Sequence, residues 1–194
     1  MSIKTQKTSV AEVAAEIVAR NPVAAADSGL TVEMLMRNVK MDPEDASHVL
    51  GNLDWGVKGI VVLPESIDDL TIAGNLNLRN NELESLPESF GSLTVGGTLN
   101  LGNNQLASLP ESFGSLTVDG DLYLRSNQLE SLPEWFGSLI VGGDLYLTDN
   151  QLESLPESFG SLTVGGDLYL YDNPVAGSLS ENSFPGLAIK LDDY

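Results

Sequence analysis

The chain has 194 residues, 42% of them hydrophobic, with 28 acidic side chains, nine basic ones and no cysteine. That is long enough for one domain, or for a repeat array with a small appendage, and the missing thiols exclude disulfides, thiolate metal sites and a cysteine nucleophile. The formal net charge of −19 makes nucleic acid and anionic membrane poor partners, because phosphate binding needs clustered Lys and Arg.

A cation, or a protein surface that is basic or mixed, is the electrostatically favoured partner. Strong charge also keeps an elongated monomer soluble. The charge is uneven: residues 1–52 carry seven acids and five bases, and residues 53–194 carry twenty-one acids and four bases. No apolar run approaches the ~18–20 residues of a membrane helix. Behind Lys4 and Lys7 there is no continuous apolar stretch of the kind a secretory signal peptide needs. These features predict a cytoplasmic protein, with secretion without a cleavable signal as the alternative.

In chain order, the first predicted element is a helix opened by the capping box Ser9–Glu12. Val10, Val13, Ala14, Ile17 and Val18 recur at helical spacing, and Asn21-Pro22 ends the run. A second helical face follows at Val32, Leu35, Met36 and Val39, with Thr31 as N-cap. A third helix is expected from Asp42-Pro43, with Ala46, Val49, Leu50 and Leu53 as its stripe. Residues 1–52 therefore read as an N-terminal helical cap, covering the apolar end that a stacked array would otherwise expose.

From Leu53 onward a 23-residue unit returns. Leu86, Leu109, Leu132 and Leu155 each open the string LPE-x-FGSL, with Trp135 in place of Ser in the third copy. A fixed period of this length marks a solenoid, in which no unit buries its apolar side alone. A degenerate first unit starts near Leu53, and the pattern stops after Val175. The solenoid spans residues 53–178, about five and a half units. Residues 179–194 form a closing segment in which Phe184, Leu187, Ile189 and Leu191 offer a strand-like apolar lid.

Between the LPE strings, Leu76-Leu78-Asn81-Leu83, Leu99-Leu101-Asn104-Leu106, Leu122-Leu124-Asn127-Leu129 and Leu145-Leu147-Asn150-Leu152 repeat the pattern LxLxxNxL. This resembles the leucine-rich repeat, and the LPE-type units look like those of certain bacterial effectors. The resemblance implies an α/β repeat solenoid: a right-handed superhelix with a parallel concave sheet. It also implies that Asn81, Asn104, Asn127, Asn150 and Asn173 form a buried structural ladder that satisfies the turn backbone. One departure stands out. The leading Leu of the family pattern falls on Ala73, Gly96, Asp119, Gly142 and Gly165, and the apolar residue comes one place earlier, at Ile72, Val95, Val118, Val141 and Val164. The period of two from Leu93 to Leu101 predicts an extended segment that kinks at glycine and pairs with its copies as a second short strand ladder. The LPESF segment is expected to form one 3₁₀ or helical turn.

Residues flanking the strand leucines form columns on the concave face. Asp121, Asp144 and Asp167 stand in one; Tyr123, Tyr146 and Tyr169 in the next; Arg125 and Tyr171 in a third. Exposed aromatics are common interface anchors, though stacked tyrosines also suit a strand surface. The aspartates have the chemistry for Ca²⁺ but not the spacing of a calcium loop, so no metal or cofactor is expected. Glu65, Glu88, Glu111, Glu134 and Glu157 each follow a proline, where a carboxylate complements a helical first turn. His48 is the one histidine, and no nucleophile–base pair or phosphate loop is present, so no catalysis is expected. The reading is a protein-interaction module that binds through its concave face. The alternative is a secreted effector or adaptor that recognises a host protein and has no ligase domain of its own.

Overall fold

In the computed structural model, which describes residues 7–27 and 29–192, the first helical stripe becomes α1, Val10–Arg20. Its apolar face, Val10, Val13, Ala14 and Ile17, is fully buried. The capping box is formed at its N-terminus: the Glu12 N–H donates to Ser9 Oγ at 3.3 Å, and the Glu12 carboxylate accepts from the Ser9 N–H at 2.8 Å. Asn21 closes the helix and then does more. Its side-chain amide donates to the Ile17 carbonyl at 2.7 Å and the Val62 carbonyl at 2.8 Å, and its Oδ1 accepts from the Val62 N–H at 2.9 Å. One buried amide thus fastens the cap to the first repeat unit. A short α2, Pro22–Asp27, follows. The next element, α3, Val32–Leu35, is a single turn capped at Met36, and the chain then turns at Asn38, φ 64°.

The helix expected from Asp42-Pro43 is absent. Asp42 accepts from the Glu44 N–H at 2.8 Å, and Asp45 accepts from the Ser47 N–H at 3.0 Å. Such local turns compete with a helix for backbone donors. Met41 then pairs antiparallel with Val49. Ala46 is exposed and Leu50 is 51% exposed, while Val49 and Leu53 are buried as strand residues. The cap is therefore helical only as far as Leu35. Lys4 and residues 193–194 of the closing segment lie outside the described residues.

Two parallel ladders run the length of the array. The first contains β1 (His48–Val49), β3 (Thr71–Ile72), β5 (Thr94–Val95), β7 (Thr117–Val118), β9 (Ile140–Val141) and β11 (Thr163–Val164). The second, the concave sheet, contains β2 (Leu53–Asp54), β4 (Leu76–Asn77), β6 (Leu99–Asn100), β8 (Leu122–Tyr123), β10 (Leu145–Tyr146), β12 (Asp167–Tyr169) and β13 (Ala188–Lys190). The register matches residues one period apart, such as Leu99 with Leu122 and Val95 with Val118. The first ladder begins at His48, ahead of the boundary that the leucine pattern marks at residue 53. The closing segment supplies β13, which pairs with β12, and Leu187 and Ile189 are buried there.

Opposite the concave sheet, each LPE string makes one 3₁₀ turn, for example Glu111–Ser115. Proline opens it with φ near −66°, and the Phe113 N–H donates to the Pro110 carbonyl at 3.0 Å. The turn aims Phe113 into the stack, where Phe90, Phe113, Phe136 and Phe159 are all fully buried. Ring centroids are 6.0 Å apart for Phe90–Phe113 and 6.1 Å for Phe136–Phe159.

Where the chain leaves each concave strand, one residue adopts the left-handed conformation: Asn80, Asn103, Ser126, Asp149 and Asp172, with φ between 53° and 61°. Short polar side chains tolerate this region. The next residue is an asparagine of the inner ladder, 6–7% exposed in every unit. Asn127 is representative. Its amide donates to the carbonyls of Leu101 at 3.1 Å and Leu124 at 3.0 Å, and its Oδ1 accepts from the Leu106 N–H at 3.1 Å. Each asparagine therefore joins its own unit to the preceding one and satisfies turn backbone that lies beyond the reach of water.

Candidate functional site

The concave strands place alternate side chains outward, and this positions the tyrosine and aspartate columns. Tyr123 and Tyr146 stack with centroids 4.3 Å apart and planes 6° from parallel; Tyr146 and Tyr169 stack at 4.5 Å and 2°. Tyr171 packs edge-on against Tyr169 at 6.5 Å. The Arg125 guanidinium lies 5.8 Å from the Tyr123 ring centroid, a cation–π distance. All of these side chains are half-buried. The third column is less open than its alternation implies, because Thr148 is only 4% exposed.

Each tyrosine hydroxyl turns to the aspartate two residues before it. Tyr146 donates to Asp144 at 3.0 Å and Tyr123 to Asp121 at 3.3 Å. Burial first, and then the adjoining Asp144 carboxylate, push the Tyr146 hydroxyl well above the usual phenol range. Tyr123 is raised in the same direction, again chiefly by burial. Tyr123 and Tyr146 therefore present neutral rings at physiological pH.

The aspartates also have a structural task that the spacing does not reveal. Asp121 Oδ1 accepts from the Asp144 N–H at 2.9 Å, and Asp144 Oδ1 accepts from the Asp167 N–H at 2.8 Å. Earlier in the same column the neutral Asn52 and Asn75 do the same for Asn75 and Thr98, at 2.9 Å and 2.8 Å. These carboxylate oxygens are engaged by amides and hydroxyls within the fold. Among the described residues, no group of three or more His, Asp or Glu side chains is placed to hold a metal ion.

On the opposite side, Glu134 accepts from the N–H groups of Glu157 at 3.2 Å and Ser158 at 3.1 Å. Hydrogen bonds from Ser158 hold its carboxyl below the usual range. Among the described residues, no helix is long and apolar enough to cross a membrane.

The geometry of strand, buried asparagine and 3₁₀ turn that recurs in each unit can be set beside known proteins. A family model described as Leucine Rich Repeat matches residues 75–93, 98–116 and 121–139. Residues 75–139 carry leucine-rich repeats. No curated protein matches the chain in sequence. Among solved structures, it is similar to a leucine-rich-repeat protein of Leptospira interrogans, at 25% identity and TM-score 0.43, over 69% of this chain and 40% of that one. It is also similar to the leucine-rich-repeat domain of a Shigella effector, at 20% identity and TM-score 0.34, over 72% of this chain and 80% of that one. This chain thus spans 40% of the length of the Leptospira chain.

The leucine-rich repeats also stack like charges. Glu134, Asp144, Asp149, Glu153, Glu157, Asp167 and Asp172 succeed one another with no base between them. Among the described residues the single ion pair is Lys190–Asp167, at 3.7 Å. Strand spacing puts equivalent positions ~4.8 Å apart, where repulsion in water is just under ~1 kcal/mol per pair. The melting temperature is expected to rise with NaCl from low to moderate ionic strength. Mg²⁺ or Ca²⁺ at equal ionic strength should add little. Differential scanning calorimetry reads both, and a large saturable rise with Ca²⁺ would instead make the aspartate column a cation site.

Proposed function

We propose that this solenoid is a protein-interaction module whose concave face binds a protein partner with a basic or mixed surface. The observation that carries this reading is the stacked, half-exposed ladder Tyr123–Tyr146–Tyr169. Its rings are fixed in place by their neighbours and by the aspartates, so little side-chain freedom is lost on contact. Tyrosines of this kind are frequent hot spots. The flanking aspartates keep one oxygen toward the tyrosine hydroxyls and hold negative charge beside the rings, which favours cationic groups on the partner. Arg125, stacked against Tyr123, marks the border of the aromatic strip.

The test is affinity capture with the wild type and with Tyr123→Ala/Tyr146→Ala/Tyr169→Ala, after melting curves establish that both are folded. The triple variant is expected to lose its partner, since removing hot-spot aromatics costs at least about 2 kcal/mol of binding. Equal recovery of the same partner by both proteins sinks the concave-face reading.

A further inference from the structure

Nine basic residues are spread over a chain of net charge −19, yet Arg37, Lys40 and Lys58 line one cleft of about 410 Å³ where the cap meets the first unit. The walls are fixed. Asn38, at φ 64°, turns the chain between Arg37 and Lys40. The Leu50 N–H donates to the Lys40 carbonyl at 2.8 Å. The Lys58 N–H is held by Asn81 Oδ1 at 3.0 Å, and Trp55 Nε1 donates to the Leu35 carbonyl at 2.8 Å. Among the described residues none of these three cations has an ion pair. The one carboxylate in the lining, Asp54, accepts from the Gly56 N–H at 3.1 Å and from Asn77 Nδ2 at 2.8 Å. Three unpaired cations on preformed walls repel one another until an anion enters.

Lys58 also lines a second cleft, of about 430 Å³, where Val23, Val57 and Val61 supply an apolar wall and Asn80 and Glu82 a polar one. Val23 is 68% exposed and Val57 69%. Val57 has φ 57° in the column that later units fill with Asn, Asn, Ser, Asp and Asp. A β-branched residue is strained in that region, so the first unit departs from the pattern in the direction of an apolar surface.

From this juxtaposition we infer that the cap–solenoid junction binds a short acidic peptide segment of the protein partner, with carboxylates at Arg37, Lys40 and Lys58 and an apolar side chain against Val23 and Val57. The inference rests on the proposed interaction function and adds a second, separate contact to it. Free phosphate fits less well, because the apolar wall offers it nothing. Asn38 and Asn52 add side-chain amides that match a peptide backbone. The acidic units farther along the solenoid do not screen the cleft from such a segment, because unpaired surface charges act over about 8 Å at physiological ionic strength.

The test uses fluorescence anisotropy with a fluorescein-labelled oligoglutamate peptide ending in leucine. The wild type is expected to bind it at physiological ionic strength, where the remote acidic units are screened, and Arg37→Gln/Lys40→Gln/Lys58→Gln to bind at least about tenfold more weakly while melting like the wild type. The oligoglutamine control should not bind. The triple tyrosine variant should bind like the wild type, so this contact and the concave-face contact fail separately. No binding by the wild type, or equal binding by the cation variant, overturns the proposal. Displacement of the peptide by equimolar inorganic phosphate assigns the cleft to a free anion instead. Salt-sensitive self-association in sedimentation velocity, abolished in the cation variant, assigns it to a second copy of the chain.

Discussion

Asn127→Ala is expected to lower the stability of the solenoid by about 1–3 kcal/mol, the cost of a buried polar group left without a partner. The Leu106 N–H loses its acceptor, while the carbonyls of Leu101 and Leu124 each lose one of two donors and keep Asn104 and Asn150. Asn127 is 7% exposed, so water does not replace these bonds. It also joins one unit to the one before, and stability in a repeat array is carried by such nearest-neighbour interfaces. Gln128→Ala, at the exposed next position, is the control and should change stability by less than about 0.5 kcal/mol. Urea unfolding followed by tryptophan fluorescence measures both. Matching midpoints for the two variants would refute the structural role of the ladder.

The second expected result contrasts two glycines in the same sequence context, FGSL. Gly137→Ala should destabilise by about 1–3 kcal/mol, the range for overpacking a tight interior. A Cβ there would collide with the Ser158 backbone carbonyl of the next unit. Gly160→Ala should be neutral or stabilise by up to about 1 kcal/mol, as an alanine does where the glycine conformation suits it. Its Cβ would meet only the Phe184 ring, at 3.4 Å, which is ordinary contact. Gly137 is buried and Gly160 exposed. Thermal melts of the two single variants decide the matter, and equal shifts would contradict the packing described.

The same pair shows where sequence reading stops. The two glycines have near-identical neighbours along the chain, and they differ because Gly137 faces another 3₁₀ turn whereas Gly160 faces the closing segment. The Asp121, Asp144 and Asp167 column was visible as a spacing, but not as a chain of carboxylates holding backbone amides, since that depends on where the next unit's N–H points. The cationic cleft was not visible either. Arg37 and Lys40 come from the cap and Lys58 from the first unit, and only the docking of Trp55 and Asn21 brings them to one place. The expected helix at Asp42-Pro43 failed for a related reason. A helix-like cap and stripe are also compatible with Asx turns followed by a strand, and pairing of β1 with β3 chose the strand.

By itself the sequence determined the solenoid, the concave strands, a turn at each LPE string and the membership of each column; the structure decided that the turns are 3₁₀ and that the extended segments pair as a second ladder. A period of 23 residues forces equivalent side chains to stack, so one unit's pattern specifies all its copies. The tertiary structure alone decided what each outward or non-repeating residue does. Those residues are outside the periodic core, and their partners come from a neighbouring unit or from the cap. Their hydrogen bonds, burial and charge are therefore set by contacts across the chain, which no local spacing encodes.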